Sequence, residues 1–178
     1  CPICLEKAVK PRRMYCCGKA FCSHCIERAF DSQPVCPTCS KQYGPLKGTQ
    51  PKGGTMKERE IQQSLPGYPE CGLTEIHYHI PSGIQEQCHP NPGKPYLGTD
   101  RRAYLPNNEE GRYVQQLLRK AFDNRLIFTV GTSVSSGKTD VVTWNDIHHK
   151  TSIDGIYGYP DPDYLRRVRE ELAAKGII

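Results

Sequence analysis

Eight of the chain's ten cysteines fall in the first 39 residues as four pairs: Cys1 and Cys4, Cys16 and Cys17, Cys22 and Cys25, Cys36 and Cys39. Three pairs are CxxC knuckles, the spacing that lets two thiolates meet one metal at about 2.3 Å each, and four thiolates close a tetrahedral zinc site. Eight ligands predict two Zn2+ ions. The competing chemistry is a disulfide framework of a secreted protein. Pairs so close in sequence and so regular do not staple distant loops, and no signal peptide within the sequence favours the secreted reading. The expected compartment is therefore intracellular and reducing, cytoplasmic and/or nuclear. The chain begins at Cys1 without a methionine, so it is expected to be a piece of a longer protein.

About a dozen residues separate the first knuckle from the second pair, and only four separate Cys17 from Cys22. This rhythm resembles a RING finger, which implies that the first and third pairs share one zinc and the second and fourth the other. The resemblance also implies that Ile3 and Pro37, each inside a knuckle, present apolar surface to an E2 ubiquitin-conjugating enzyme. Lys19 stands where the commonest RING pattern has a histidine, so vicinal Cys16 and Cys17 must both ligate, with His24 as the alternative ligand. Ser40 or Lys41 stands where RING ligases often carry an arginine that locks the E2-ubiquitin linkage.

A second concentration of chemistry is WNDIHHKT, Trp144 to Thr151. Strand alternation through it puts Trp144, Asp146 and His148 on one face and Asn145, Ile147 and His149 on the other. An aromatic and an imidazole facing one way can stack on a base and bond a ribose; the plainer reading makes Trp144 core and His148 a satisfied buried histidine. Glu171 falls at the edge of an apolar helix face. It is either a general base with a raised pKa or a salt bridge at the rim. GTSVSSGKT, Gly131 to Thr139, imitates a phosphate-binding loop, but five residues separate Gly131 from Gly137 where four are needed, and a strand follows instead of a helix. A nucleotide triphosphatase is excluded, while backbone N–H groups at such a hairpin end remain available to a ligand's phosphates. HPNPGK, His89 to Lys94, is a stiff loop that is either a structural corner or a pocket wall. Cys71 and Cys88 have no CxxC partner and read as free thiols.

The elements that position these groups follow from periodicity. Ser23 to Phe30 predicts a short helix, with Ile26 and Phe30 on one face. Thr74 to Ile80 alternates as a half-buried strand, with Ile76, Tyr78 and Ile80 inward and Glu75, His77 and His79 toward solvent. Asn108 to Asn124 predicts a helix capped by Asn107 or Asn108, with Val114, Leu117, Leu118, Ala121 and Phe122 inward. Leu126 to Val130 and Val141 to Ile147 read as a hairpin. The last helix is expected to start on Asp161 and Pro162, run to Lys175 and stop at Gly176, burying Tyr164, Leu165, Val168 and Leu172.

No apolar run approaches the roughly 18 residues of a membrane span. The net charge of +5 lies wholly in residues 1–48, which hold eight Lys or Arg against three acids; residues 49–178 hold sixteen of each. Two Zn2+ and eight thiolates lower the first stretch by four, leaving about +1, so strong nucleic-acid affinity is not predicted.

SLPGY (Ser64 to Tyr68), HPNPGK, AYLPNNEEGR (Ala103 to Arg112), LIFTVGTS (Leu126 to Ser133), WNDIHHKT and GYPDPDYL (Gly158 to Leu165) together resemble the Deltex C-terminal domain. With the RING-like stretch before it, the whole chain resembles the catalytic unit of a Deltex-family E3 ubiquitin ligase, with Notch signalling as the family's context. The expected fold class is α+β: a small two-zinc cross-brace RING domain over 1–42, a Gly/Pro-rich linker over 43–55, and a mixed α+β Deltex C-terminal domain over 56–178. The resemblance implies partners in E2, ubiquitin and ADP-ribosylated proteins, and ADP-ribose or NAD+ as ligand. It implies a pocket lined by Gly131, Thr132, Ser133, Trp144, His148 and Tyr157, with Glu171, His148 and Tyr157 catalytic. Glu171 is the proton acceptor on a ribose hydroxyl in this reading. Tyr157 replaces a histidine carried by many members; a tyrosine hydroxyl is a poor base at neutral pH, so Tyr157 orients or stacks. The alternative is a RING ligase whose second domain only reads ADP-ribose marks.

Overall fold

The computed structural model describes all 178 residues and divides into two compact units, Cys1–Lys47 and Gly48–Ile178. Its order is β1 (Pro11–Arg13), β2 (Ala20–Cys22), α1 (Ser23–Ser32), β3 (Thr55–Ile61), β4 (Leu73–Ile80), β5 (Gly83–Ile84), β6 (Pro95–Tyr96), β7 (Thr99–Pro106), α2 (Glu109–Asp123), β8 (Phe128–Gly131), β9 (Val141–Trp144) and α3 (Tyr164–Ala174). No helix is long and apolar enough to cross a membrane.

In the first unit, β1 and β2 form an antiparallel hairpin that leads directly into α1. Its apolar centre is only Met14, Phe21 and Ile26, with Phe30, Tyr43 and several cysteines packed around them. So small a core cannot offset the entropy of ordering the chain, and the fold needs another staple. The turns are shaped for one. Leu5, Gly18 and Ser40 each follow a cysteine pair and adopt positive φ (64, 67 and 58°). In each the N–H returns to the carbonyl four residues back, on Cys1, Met14 and Cys36. That bend is what turns the flanking sulfurs inward.

The second unit is built on an antiparallel sheet with β4 between β3 and β7. As expected, Ile76, Tyr78 and Ile80 are buried. Glu75, expected toward solvent, is also buried, because the side chains of Arg59 and Arg102 close over its carboxylate (2.9 and 3.7 Å). Helix α2 matches its prediction: Asn108 accepts from the Gly111 N–H, and Val114, Leu117, Leu118, Ala121 and Phe122 are buried. Helix α3 buries Tyr164, Leu165, Val168 and Leu172. Its start differs, since Asp163 precedes the first turn without a side-chain cap. Asp161 is taken instead by Lys150 and Arg167, which hold its carboxyl well below the usual range.

Residues 48–50, expected in the linker, belong to the second unit. Gln50 is 2% exposed, and its side-chain amide bonds the Phe122 carbonyl and the Phe128 N–H. The HPNPGK loop is a structural corner. His89 accepts from the Glu86 N–H at Nδ1 and donates from Nε2 to the Thr49 carbonyl, and Asn91 and Gln85 both donate to Asp140.

Candidate functional site

The eight cysteines gather into two sets, Cys1, Cys4, Cys22, Cys25 and Cys16, Cys17, Cys36, Cys39, the sulfurs of each lying within 4.8 Å of one another. Cys4 and Cys22 sulfurs are 3.8 Å apart and those of Cys17 and Cys36 are 3.7 Å apart. A tetrahedral Zn–S4 centre with bonds of about 2.3 Å requires sulfur edges of about 3.8 Å. The donor set and spacing therefore fit two zinc ions in the crossed arrangement. Both Cys16 and Cys17 belong to the second set. His24 does not; its Nε2 lies 3.3 Å from the Cys25 sulfur, beside the first set, so the alternative ligand is set aside. Ile3 and Pro37 are exposed, as an apolar contact surface requires.

In the second unit a cavity of about 410 Å³ is lined by Ser135, Trp144, Asn145, Ile147, His148, His149, Thr151 and Tyr157. Strand β9 ends at Trp144, so alternation does not continue through the motif. The imidazole beside the indole is consequently His149, not His148. Trp144 stacks on His149 at 4.4 Å and on Phe128 at 4.6 Å, and the Tyr78 ring meets all three edge-on. The Ile147 carbonyl can only accept, so His149 Nδ1 carries the proton and Nε2 accepts from the Tyr78 hydroxyl (3.0 Å). Burial pushes this histidine down to about 4, so it is neutral at physiological pH.

His148, which the plainer reading buries and the family resemblance puts in a pocket, is 80% exposed at the cavity wall. Three atoms of it are tied to α3. Its Nδ1 lies 2.7 Å from Glu171 Oε1, its N–H donates to Glu171 Oε2 (2.8 Å), and its carbonyl accepts from the Tyr164 hydroxyl (3.1 Å). Lys175, just past the helix, pairs with Asp146. Residues 164, 171 and 175 are spaced seven and four apart, so one stripe of α3 anchors the whole segment from Asp146 to His148. With Nδ1–H held by a carboxylate, Nε2 of a neutral His148 presents a lone pair, the arrangement of a general base. Glu171 does not line the cavity itself and reaches it through His148.

Tyr157 lines the cavity and is 66% exposed, while its carbonyl accepts from Thr151 and Ser152 N–H groups. At Gly158 a Cβ would lie 2.3 Å from the Asp154 carbonyl oxygen, so only glycine allows this turn to close. Gly131, Thr132 and Ser133 are not in the wall; their loop contributes Ser135. Two features passed unsingled in the sequence. Lys150 is 9% exposed, paired with Asp161 and lying over the Tyr159 and Tyr164 rings. Tyr164 looked like another core aromatic, and nothing in a helical stripe marks which hydroxyl will meet a distant carbonyl.

Residues 1–40 match the Ring finger domain and residues 47–177 the Deltex C-terminal domain. The chain is 50% identical to probable E3 ubiquitin-protein ligase DTX3 of Homo sapiens over 181 residues, covering 99% of this chain and 52% of that protein. It is 42% identical to E3 ubiquitin-protein ligase DTX1 of Homo sapiens and 41% to E3 ubiquitin-protein ligase DTX4 of Mus musculus, covering in each case 99% of this chain and 33% of the relative. The chain thus spans from about half to a third of the length of the relatives it matches. Two crossed tetrathiolate sets followed by this α+β unit, matched along nearly all their length, place the chain in the Deltex family, as a RING finger followed by a Deltex C-terminal domain.

Proposed function

We propose that the chain is the catalytic portion of an E3 ubiquitin-protein ligase. Its RING finger recruits an E2 charged with ubiquitin, and its second domain binds ADP-ribose or NAD+ in the cavity at Trp144, His148 and Tyr157, in a reducing intracellular compartment. The zincs, held by the eight cysteines, supply structure and no chemistry at the reacting carbonyl. The observation that carries the reading is the His148–Glu171 pair at the wall of an aromatic-backed cavity.

The Trp144 side and the exposed Tyr157 ring offer apolar walls to a nucleotide, and the ribose lies against His148. His148 Nε2 takes the proton of a ribose hydroxyl as that oxygen attacks the E2-ubiquitin thioester carbonyl. The C–O ester bond forms, the C–S bond breaks, and the E2 leaves as thiolate. Glu171 holds the imidazole in the required tautomer and stabilises the imidazolium that develops. This assigns proton transfer to His148 with Glu171 behind it, a refinement of the expectation that Glu171 is itself the proton acceptor. With NAD+, the ubiquitin C-terminal carboxylate forms the bond to the ribose carbon that nicotinamide leaves.

Two measurements test it. ADP-ribose titrated against the zinc-loaded chain should saturate, and Trp144→Ala should abolish that binding. Glu171→Gln should leave ADP-ribose binding within a few-fold and lower ubiquitin transfer to it by about 10²-fold or more. Unchanged transfer in Glu171→Gln would establish the alternative, a ligase whose second domain only reads ADP-ribose.

A further inference from the structure

The turn that carries Ser135 into the nucleotide cavity has another side. There Ser133, Ser136 and Lys138 line a separate cavity of about 180 Å³ together with Thr99 and Arg101 at the start of β7. From these residues we infer that this notch binds a phosphate monoester, with Arg101 and Lys138 as the charged contacts. The inference stands independently of the ADP-ribose reading, because the two cavities share no residue.

Charge is the first argument. Residues 49–178 hold equal numbers of acids and bases, so there is no general positive field to explain two cations in one notch. The chain's ion pairs use neither Arg101 nor Lys138. The carboxylates nearest in sequence are committed elsewhere. Asp100 accepts from His77 and His79, and Asp140 accepts from Gln85 and Asn91. No carboxylate lines the notch.

Donor chemistry is the second. Ser133, Ser136 and Thr99 add hydroxyls to a guanidinium and an ammonium, the mixture that satisfies the several acceptor oxygens of a phosphoryl group. The turn is held by the Ser133 N–H on the Lys138 carbonyl and the Gly137 N–H on the Ser133 carbonyl. The turn's backbone is thereby set before a ligand arrives, while the exposed Arg101 and Lys138 side chains close on it afterwards. The volume suits a phosphoryl group with its water and falls short of the roughly 300 Å³ at which nucleoside-sized pockets begin. The phosphate is therefore borne on something that stays outside, either a phosphorylated side chain or a sugar phosphate.

The test is amide chemical-shift titration of the zinc-loaded chain with inorganic phosphate, chloride exchanged to keep ionic strength constant. The expected result is a saturable shift at Thr99 and at Ser136 to Lys138, weakened at least tenfold in Arg101→Gln and in Lys138→Gln with the rest of the spectrum unchanged. O-phosphoserine and ribose 5-phosphate in parallel identify the carrier by which binds more tightly. Absence of saturable shifts, or shifts equally produced by chloride or unaffected by both substitutions, overturns the inference.

Discussion

The two units reach order by opposite means. In Cys1–Lys47 three apolar residues are buried at the centre and eight sulfurs converge on two points. In Gly48–Ile178 three small sheets and two helices bury Leu73, Ile76, Tyr78, Leu118, Phe128, Val168 and Leu172 to 0% exposure, with no metal-binding cluster. The lesson concerns where functional groups can sit. A metal-stapled unit spends its chemically reactive side chains on folding and has only its surface left for partners. A unit held by packing leaves its imidazoles free to line a cavity and a carboxylate free to orient one of them from behind.

The strongest way to break that contrast is to remove the metal. A zinc chelator should unfold residues 1–47 outright, since structural zinc supplies on the order of 10 kcal/mol of folding free energy. The second unit should stay folded, and the chain's one tryptophan, Trp144, reports on it alone. Loss of the Trp144 signal together with the zinc would mean that the units are not independently stable. The converse experiment is Leu118→Ala, in the fully buried stripe of α2. It should cost the second unit about 2–5 kcal/mol by denaturant melt followed at Trp144, with zinc content unchanged.

Acid should also separate the units. His149 has a folded-state pKa of about 4 against 6.5 unfolded. The unfolded chain therefore takes up a proton that the folded chain refuses. Its stabilisation is complete above pH 6.5 and is lost as pH falls toward 4, by at most about 3 kcal/mol. His149→Phe should flatten this part of the pH profile, read by Trp144 fluorescence so that acid release of zinc does not intrude. The smallest effect expected is at the N-terminus of α2, where Asn108→Ala should cost about 1 kcal/mol by the loss of its bond to Gly111.

What was legible in the sequence follows the same division. Cysteine spacing carries the first unit almost whole, because ligand geometry is local to each knuckle and only the pairing of pairs is long-range. In the second unit Asn108, the α2 stripe and the inward residues of β4 were legible for the same local reason. The site was legible as a list of residues but not as an arrangement. Alternation assigned His148 to the Trp144 face, whereas β9 stops at Trp144 and the chain turns, which brings His149 against the indole. Asp161 has the right type and position for a cap, but a buried lysine and an arginine compete for it more strongly than the first-turn N–H groups. Such outcomes depend on groups that meet only after folding, and periodicity contains no trace of them.

The stripe of α3 that grips Asp146 to His148 has a mechanical corollary. Because Tyr164 and Glu171 belong to one rigid rod, a single residue inserted between them would rotate Glu171 by about 100° and release His148's side chain from its carboxylate, along with turning the buried Leu172 out of the core. The length of that helix is thereby as much a part of the cavity as any residue in its wall.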